Sequence, residues 1–326
     1  MPMATDLRNI AKAVWGFFAH PTSPGSPALT GAAAQTMLSW AKHIESYDTV
    51  PEVYKGFFNT LLRDSQVFPF VALTPSFNGF SHKTTEKLVC DVNNTIYVLE
   101  RSGSRITTKG YPLGAIRDIE VGVVLLDSWI TISGVTSDGV STTSTFEFNT
   151  TSGRHFASLL NKIRPAANGS EETELSAELA KFDYLASSSF KFMNYARSSL
   201  VCGEKVIHTV WQPEIRARTV ALPGWPFYRT LSMSHLIILT DKELILIRED
   251  ERVSGNLGFR KRVRYGGIWQ YIPLDSIVSV SLAKQANDLW ALSIYLSEDG
   301  RLDRVFTASS KHEVAQLQDE IEKLSR

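Results

Sequence analysis

Cysteine is nearly absent: Cys90 and Cys202 are the only two in 326 residues. A disulfide scaffold or a structural zinc site needs more, so both are excluded. Each cysteine follows apolar neighbours, Leu88-Val89 and Leu200-Val201, which predicts buried free thiols in a reducing, cytoplasmic compartment. An excess of either charge is missing too. Lys+Arg and Asp+Glu number 34 each, so no global field draws the chain to nucleic acid or to a membrane, and any electrostatic partner must be met by a local patch. No run approaches the ~20 apolar residues of a membrane-crossing helix. The uncharged segment from Ala13 to Ala41 is interrupted by Pro21, Pro24, Gly25 and Pro27. A secretory signal is not expected either. Arg8 and Lys12 precede a short apolar run, Ala13 to Ala19, that ends in His20-Pro21 without a small-residue cleavage site.

The usual signatures of chemistry are also missing. None of the seven histidines is paired at i,i+4 as a helical metal site requires. There is no phosphate loop with Lys-Ser/Thr, no Gly-x-Ser-x-Gly elbow and no dinucleotide-binding glycine fingerprint. Gly255-Asn256-Leu257-Gly258 marks only a flexible loop, and His208 and His235 sit at the apolar edges of β runs, where structural histidines are expected. A catalytic triad needs no local motif, so an enzyme stays as a distant third reading. The leading expectation is a non-enzymatic protein with no cofactor, no metal, no nucleic acid and no small-molecule substrate.

What the sequence does contain is an internal repeat. Tyr111-Pro112-Leu113-Gly114-Ala115-Ile116 matches Ile272-Pro273-Leu274-Asp275-Ser276-Ile277 at an offset of 161, which also pairs Trp129 with Trp290 and Asp138-Gly139 with Asp299-Gly300. Beyond that hairpin the offset becomes 158, aligning Phe148 with Phe306, Ser152 with Ser310 and Leu159 with Leu317. Upstream it is 148, setting Leu88-Val89-Cys90 against Leu236-Ile237-Ile238 and Asn93-Asn94 against Asp241-Lys242. Earlier still it is 139, placing Leu61 and Val67 on Leu200 and Val206. Four blocks kept in order by small insertions mark a duplication.

Each copy has one grammar: an amphipathic helix, several β runs of about 5–8 residues, then a closing helix. Asn93-Asn94 and Asp241-Lys242 read as tight turns, and Asp138-Gly139 and Asp299-Gly300 as hairpins. The closing helices are expected after Ser152 and Ser310 as N-caps, with apolar stripes Phe156, Leu159, Leu160, Ile163 and Val314, Leu317, Ile321, Leu324. Further helices are expected at about 5–19, 28–47 and 52–63, and from about Thr173 through Leu175, Leu179, Phe182 and Leu185.

The order "apolar–turn–apolar, x-Pro-Leu-x-x-Ile, Trp strand, Asp-Gly hairpin, last helix" resembles the bacterial pleckstrin-homology-like (PH-like, GRAM-like) domain. Leu239-Thr240-Asp241-Lys242-Glu243-Leu244 followed by Ile272-Pro273-Leu274-Asp275-Ser276-Ile277 matches best. The resemblance implies an α+β chain holding two tandem PH-like barrels, each a bent antiparallel sheet of about seven strands capped by a C-terminal helix. The divisions are an N-terminal helical segment (1–59), a first domain (60–165), a linker and helix (166–199) and a second domain (200–326).

Two insertions distinguish the second copy. One adds about 13 residues and carries Arg252, Arg260, Lys261, Arg262 and Arg264 with Phe259 and Tyr265 interleaved. It reads as a solvated hairpin or as an anion-binding, membrane-facing loop. The other, Trp211 to Tyr228, includes Trp225, Phe227 and Tyr228. Exposed, it would be a membrane wedge or docking knob; packed down, a covering Ω-type loop or an inter-domain contact. The N-terminal stripe Leu7, Ile10, Val14, Phe17 and Phe18 suits packing on protein better than lying on lipid. These features lead to a binding or scaffolding protein that meets protein partners or itself. The alternative is peripheral binding to anionic lipid at the inner face of the membrane.

Overall fold

The computed structural model describes residues 40–61, 68–78, 83–164, 172–222, 225–250 and 266–325. It is a mixed α+β protein, mostly antiparallel sheet, and divides into two compact units. The first comprises residues 1–116 and 125–163, the second 117–124 and 164–326.

In the first unit, helix α1 (Glu52–Leu61) follows a three-residue strand, β1 (Lys42–Ile44). The helix expected over 28–47 therefore does not run to its end. Residues 42–44 pair instead with Val71–Leu73, because the burial of Ile44 and the bond from Ala41 N to Ser152 Oγ (3.0 Å) override local preference. The unit continues through β2 (Phe70–Thr74), the short β3 (Phe77–Asn78) and β4 (Lys83–Thr84), β5 (Lys87–Val92), β6 (Thr95–Ser102) and β7 (Arg105–Pro112). The main sheet runs β1-β2-β5-β6-β7. Asn93 and Asn94 form its central turn with φ of 51° and 58°, a left-handed pair that asparagine tolerates. Tyr54 and Phe58 of α1, both fully buried, pack against Val71, Leu88, Cys90 and Leu99.

At Pro112 the chain makes one 3-10 turn, Leu113–Ala115, and enters β8 (Ile116–Val124). From Arg117 this strand belongs to the second unit. A hairpin follows in the first unit, β9 (Asp127–Val135) and β10 (Ser141–Asn149), then a 3-10 segment and α2 (Ala157–Ile163). Ser152 does not cap that helix: its hydroxyl donates to Asn149 O, while the Asn149 side chain accepts from Thr151 N. At the Asp138-Gly139 hairpin, Gly139 has φ 80°.

The second unit begins with α3 (Glu172–Ala180) and α4 (Leu185–Ser199), the latter interrupted at Ser189. Strands β11 (Val206–Gln212), β14 (His235–Thr240), β15 (Glu243–Arg248) and β16 (Gly267–Pro273) form an antiparallel meander, with β8 added beside β16. Between β11 and β14 stands a separate hairpin, β12 (Ile215–Leu222) and β13 (Trp225–Ser232). A second meander, β17 (Ile277–Lys284), β18 (Leu289–Leu296) and β19 (Gly300–Thr307), leads to α5 (Lys311–Leu324). The turn before β19 uses Glu298 and Asp299 at positive φ, so it lies one residue earlier than Asp299-Gly300 suggests. Val314, Leu317 and Ile321 of α5 are fully buried against Leu239, Leu246, Ile272, Leu292 and Phe306. Each such side chain is worth about 1.5–3 kcal/mol of burial. Buried Gln212 fixes the entry to α5: its Oε1 accepts from Thr307 N (3.0 Å) and Ser310 Oγ (3.3 Å).

The two halves share one order of elements, from β2 and β11 to α2 and α5. The hinge before β8 and β17 matches in backbone detail. Pro112 and Pro273 have φ/ψ of −56°/138° and −54°/140°. Leu113 N donates to Asn94 O (2.9 Å), and Leu274 N to Lys242 O (3.2 Å). The described residues form no closed barrel, against the barrels expected. The proline-led turns redirect the chain, so β17 starts a new sheet and β8 pairs with β16.

Candidate interaction surfaces and a buried ion cluster

Arg252, Arg260, Lys261, Arg262 and Arg264 lie outside the described residues. Trp225 and Phe227 fall on β13, but their side chains are outside the description as well. Tyr228 is described, and it is 61% exposed beside the exposed Arg229. The Trp211–Tyr228 insertion is therefore no covering Ω-type loop along its described length. Its outer part is an antiparallel ribbon with Leu222 opposite Trp225 and Arg218 opposite Tyr228. Trp211 belongs to β11 and packs on Phe192 at 4.3 Å between ring centroids. The ribbon is anchored at its base by Glu214, which accepts from Thr230 Oγ1 (2.8 Å) and pairs with Arg216 (2.5 Å).

Other large apolar side chains are exposed on turns and strand edges. In the first unit, Leu125 and Leu126 between β8 and β9 are 59% and 56% exposed. Leu125 has φ 55°, a conformation that a bulky residue adopts only at a cost. In the second unit, Val278 on β17 is 68% exposed.

Inside the second unit, four polar side chains from distant positions converge. Arg164 is buried and donates from Nε to Glu243 Oε1 (3.0 Å) and from Nη2 to Ser199 O (2.8 Å), with a second, shorter bond to Glu243. Its guanidinium lies 3.8 Å from the centroid of the Tyr271 ring. Glu204 Oε2 stands 3.6 Å from Arg164 Nη2 and accepts from Val201 N (2.9 Å), whereas its Oε1 has no partner among the described residues. Two carboxyls therefore share one guanidinium. Burial, together with the neighbouring Glu243, pushes the Glu204 carboxyl up to about 9 despite the attraction of Arg164. Glu204 is thus the neutral acid at pH 7. Burial opposes the charge on Arg164, but the attraction and hydrogen bonds of Glu243 outweigh it and hold it protonated. The cluster ties the residue that opens the second unit to α4, to the loop before β11 and to the sheet. Only the Glu at the head of the apolar run Leu244-Ile245-Leu246-Ile247 hinted at it in the sequence.

Of the two β-run histidines, His235 is buried and held between Met233 O (2.9 Å from Nδ1) and the Phe306 ring (4.9 Å between centroids). Burial lowers it to about 4, so it is neutral. His208 lies near the surface, its Nε2 3.1 Å from Glu313 O. Cys90 is a buried thiol pushed up by burial, and Cys202 is a half-buried thiol outside any disulfide. Among the described residues, no group of three or more His, Cys, Asp or Glu is placed to hold a metal, and no helix is long and apolar enough to cross a membrane. No family model matches this chain, and no curated protein is significantly similar to it.

Proposed function

We propose that this chain is a non-enzymatic binding protein built on two tandem PH-like modules, and that it associates with protein, most readily with further copies of itself. The modular reading is supported by the second unit: a four-strand meander, a three-strand meander and a buried closing helix follow in the order such domains use. The observation that carries association is that, among the described residues, β7 and β17 end their sheets with no further strand beside them, and that β17 carries Val278, the most exposed large apolar side chain. Exposed strand edges of this kind are templates for pairing with another chain. The exposed turn at Leu125 and Leu126 supports the same reading, since it combines apolar exposure with a leucine in the left-handed region, where a glycine would carry no strain.

Light scattering behind size-exclusion chromatography, over a range of loading concentrations, tests association directly. A mass rising above 36.3 kDa with concentration is expected; a constant monomer mass overturns the reading. A second reading, peripheral attachment to anionic lipid, is favoured by one observation. Tyr228 and Arg229 are both exposed on the β12–β13 ribbon, an aromatic and a cation of the kind that meets a membrane interface. Sedimentation with anionic and neutral liposomes separates the two. Salt-sensitive pelleting with anionic vesicles alone, lost on Tyr228→Ala with Arg229→Ala, would transfer the proposal to lipid.

A further inference from the structure

The duplication leaves one strand pairing without its twin. β8 of the first repeat pairs antiparallel with β16 of the second, Val121 opposite Trp269 and Val123 opposite Gly267. The repeat counterparts of these strands are β17 and β7. Each closes a sheet, β17 beside β18 and β7 beside β6, and among the described residues neither has a strand on its other side. Resting on the self-association proposed above, we infer that β7 of one copy pairs with β17 of a second copy, in the register that the repeat prescribes: Thr108 opposite Leu282 and Ile106 opposite Lys284.

The backbone orientation of both strands agrees with that register, on evidence independent of the alignment. Gly110 O accepts from Ser137 N (2.8 Å), so even-numbered residues of β7 turn their peptide groups away from β6. Ile106 and Thr108 therefore face the open side. On β17, Gln285 N donates back to Leu289 O (2.8 Å), so odd-numbered residues face β18, and Leu282 and Lys284 face outward. These four residues are the ones that the register brings into hydrogen-bonded pairs. Thr107, Thr108, Ala283 and Lys284 are all exposed. The lysines do not obstruct the edges. Lys109 Nζ turns to Thr142 Oγ1 (2.9 Å) and Thr143 O (3.0 Å), and Lys284 Nζ to Asp288 (2.8 Å). Because Ser137 already occupies Gly110 O, the new pairing spans residues 106–109 and is shorter than its template. A reciprocal exchange closes a two-fold dimer; a single exchange propagates head to tail.

The test uses two single-cysteine variants of the full chain in a Cys202→Ser background. Thr107→Cys and Ala283→Cys face each other as a non-hydrogen-bonded pair, where Cα atoms about 4.5 Å apart fall within disulfide reach. Mixing them under mild oxidation should give a disulfide-linked dimer in about tenfold excess over a control mixture of Thr107→Cys with Asp299→Cys. Adding Thr108→Pro, which removes an outward N–H and none directed at β6, should abolish the excess without lowering the melting temperature. Leu282→Pro on the other edge repeats the test independently. If the wild type associates while no cross-link exceeds the control and both proline variants still associate, this pairing is overturned and self-association proceeds through another face. If the wild type remains a monomer at every concentration, this pairing and the proposed function fail together.

Discussion

The two halves run through the same elements in the same order, yet they close their cores from opposite ends of the chain. In the second unit the last helix, α5, sits in the core, with Val314, Leu317 and Ile321 meeting both meanders in one cluster. In the first unit the corresponding cluster beneath β2, β5 and β6 is filled from the front, by Tyr54 and Phe58 of α1. The first copy's closing helix, α2, is only seven residues long. Its approach is taken up by an aromatic group in which Phe156 packs on Phe148 (4.4 Å) and Phe146 (5.3 Å). A duplicated sheet needs a cover, but the cover can come from either side in sequence, because burial is non-directional.

Perturbing each cover should break this comparison or sharpen it. The largest effect is expected at the ion cluster, which has no counterpart in the first unit's core cluster. Arg164→Met leaves Glu243 buried without its partner and should cost about 3–5 kcal/mol, much of a whole domain's ~5–15 kcal/mol. Chemical denaturation should show the second unit melting early while the first is unchanged. Next are the covers themselves. Phe58→Ala should cost the first unit about 3–5 kcal/mol and Leu317→Ala the second about 2–5 kcal/mol, each by opening a cavity. If Phe58→Ala leaves the denaturation midpoint unmoved, α1 is not the first unit's cover and the contrast collapses.

Within the second unit, two buried groups should set opposite pH responses. His235 binds a proton more weakly folded than unfolded, so its contribution is complete above about pH 6.5 and fades toward about pH 4. The difference of 2.5 between those two values corresponds to roughly 3 kcal/mol. Glu204 acts in the opposite sense. Its folded form holds the proton more tightly, so stability is complete below its unfolded value of 4.5 and fades as pH rises toward about 9. Glu204→Gln should therefore flatten the second unit's melting temperature on the alkaline side, and His235→Phe on the acid side. A Glu204→Gln variant that still loses stability between pH 7 and pH 9 would remove Glu204 as the cause.

The smallest effect concerns the turns after β8 and β17. The second copy places Asn287 and Asp288 in the left-handed region at φ 60° and 54°, while the first uses Leu125. Leu125→Gly should raise the first unit's stability by about 1 kcal/mol, the strain that a leucine carries there. A loss of stability would show that the Leu125 side chain is held by its surroundings.

Much of the β architecture was legible because its signals are local. Asn93-Asn94 marked a turn, Thr240-Asp241-Lys242-Glu243 another, and Pro112 and Pro273 the same bend twice. Helix α5 showed its apolar stripe at helical spacing. The failures have physical reasons too. Residues 42–44 carried no strand signal, since their pairing depends on β2 being in place. Ser152 looked like a helix cap, but its hydroxyl serves Asn149 and Ala41 instead. The aromatic insertion read as a loop because residues 215–222 and 225–232 lack strict apolar–polar alternation. Glu204 and Arg164 gave no sign of meeting, since 40 residues separate them and neither lies in a motif.

The sequence by itself determined the repeated order of turns and strands and most of the closing helix's buried stripe, Val314, Leu317 and Ile321 but not the exposed Leu324, because these follow from short-range backbone preference and from periodicity. Tertiary structure alone decided that β8 joins the second unit's sheet beside β16, that α1 rather than α2 covers the first main sheet, and that one buried arginine serves two carboxyls. Each of these choices sets elements far apart in the chain against one another. No local pattern encodes such a contest; the total burial and hydrogen bonding of the folded chain resolves it.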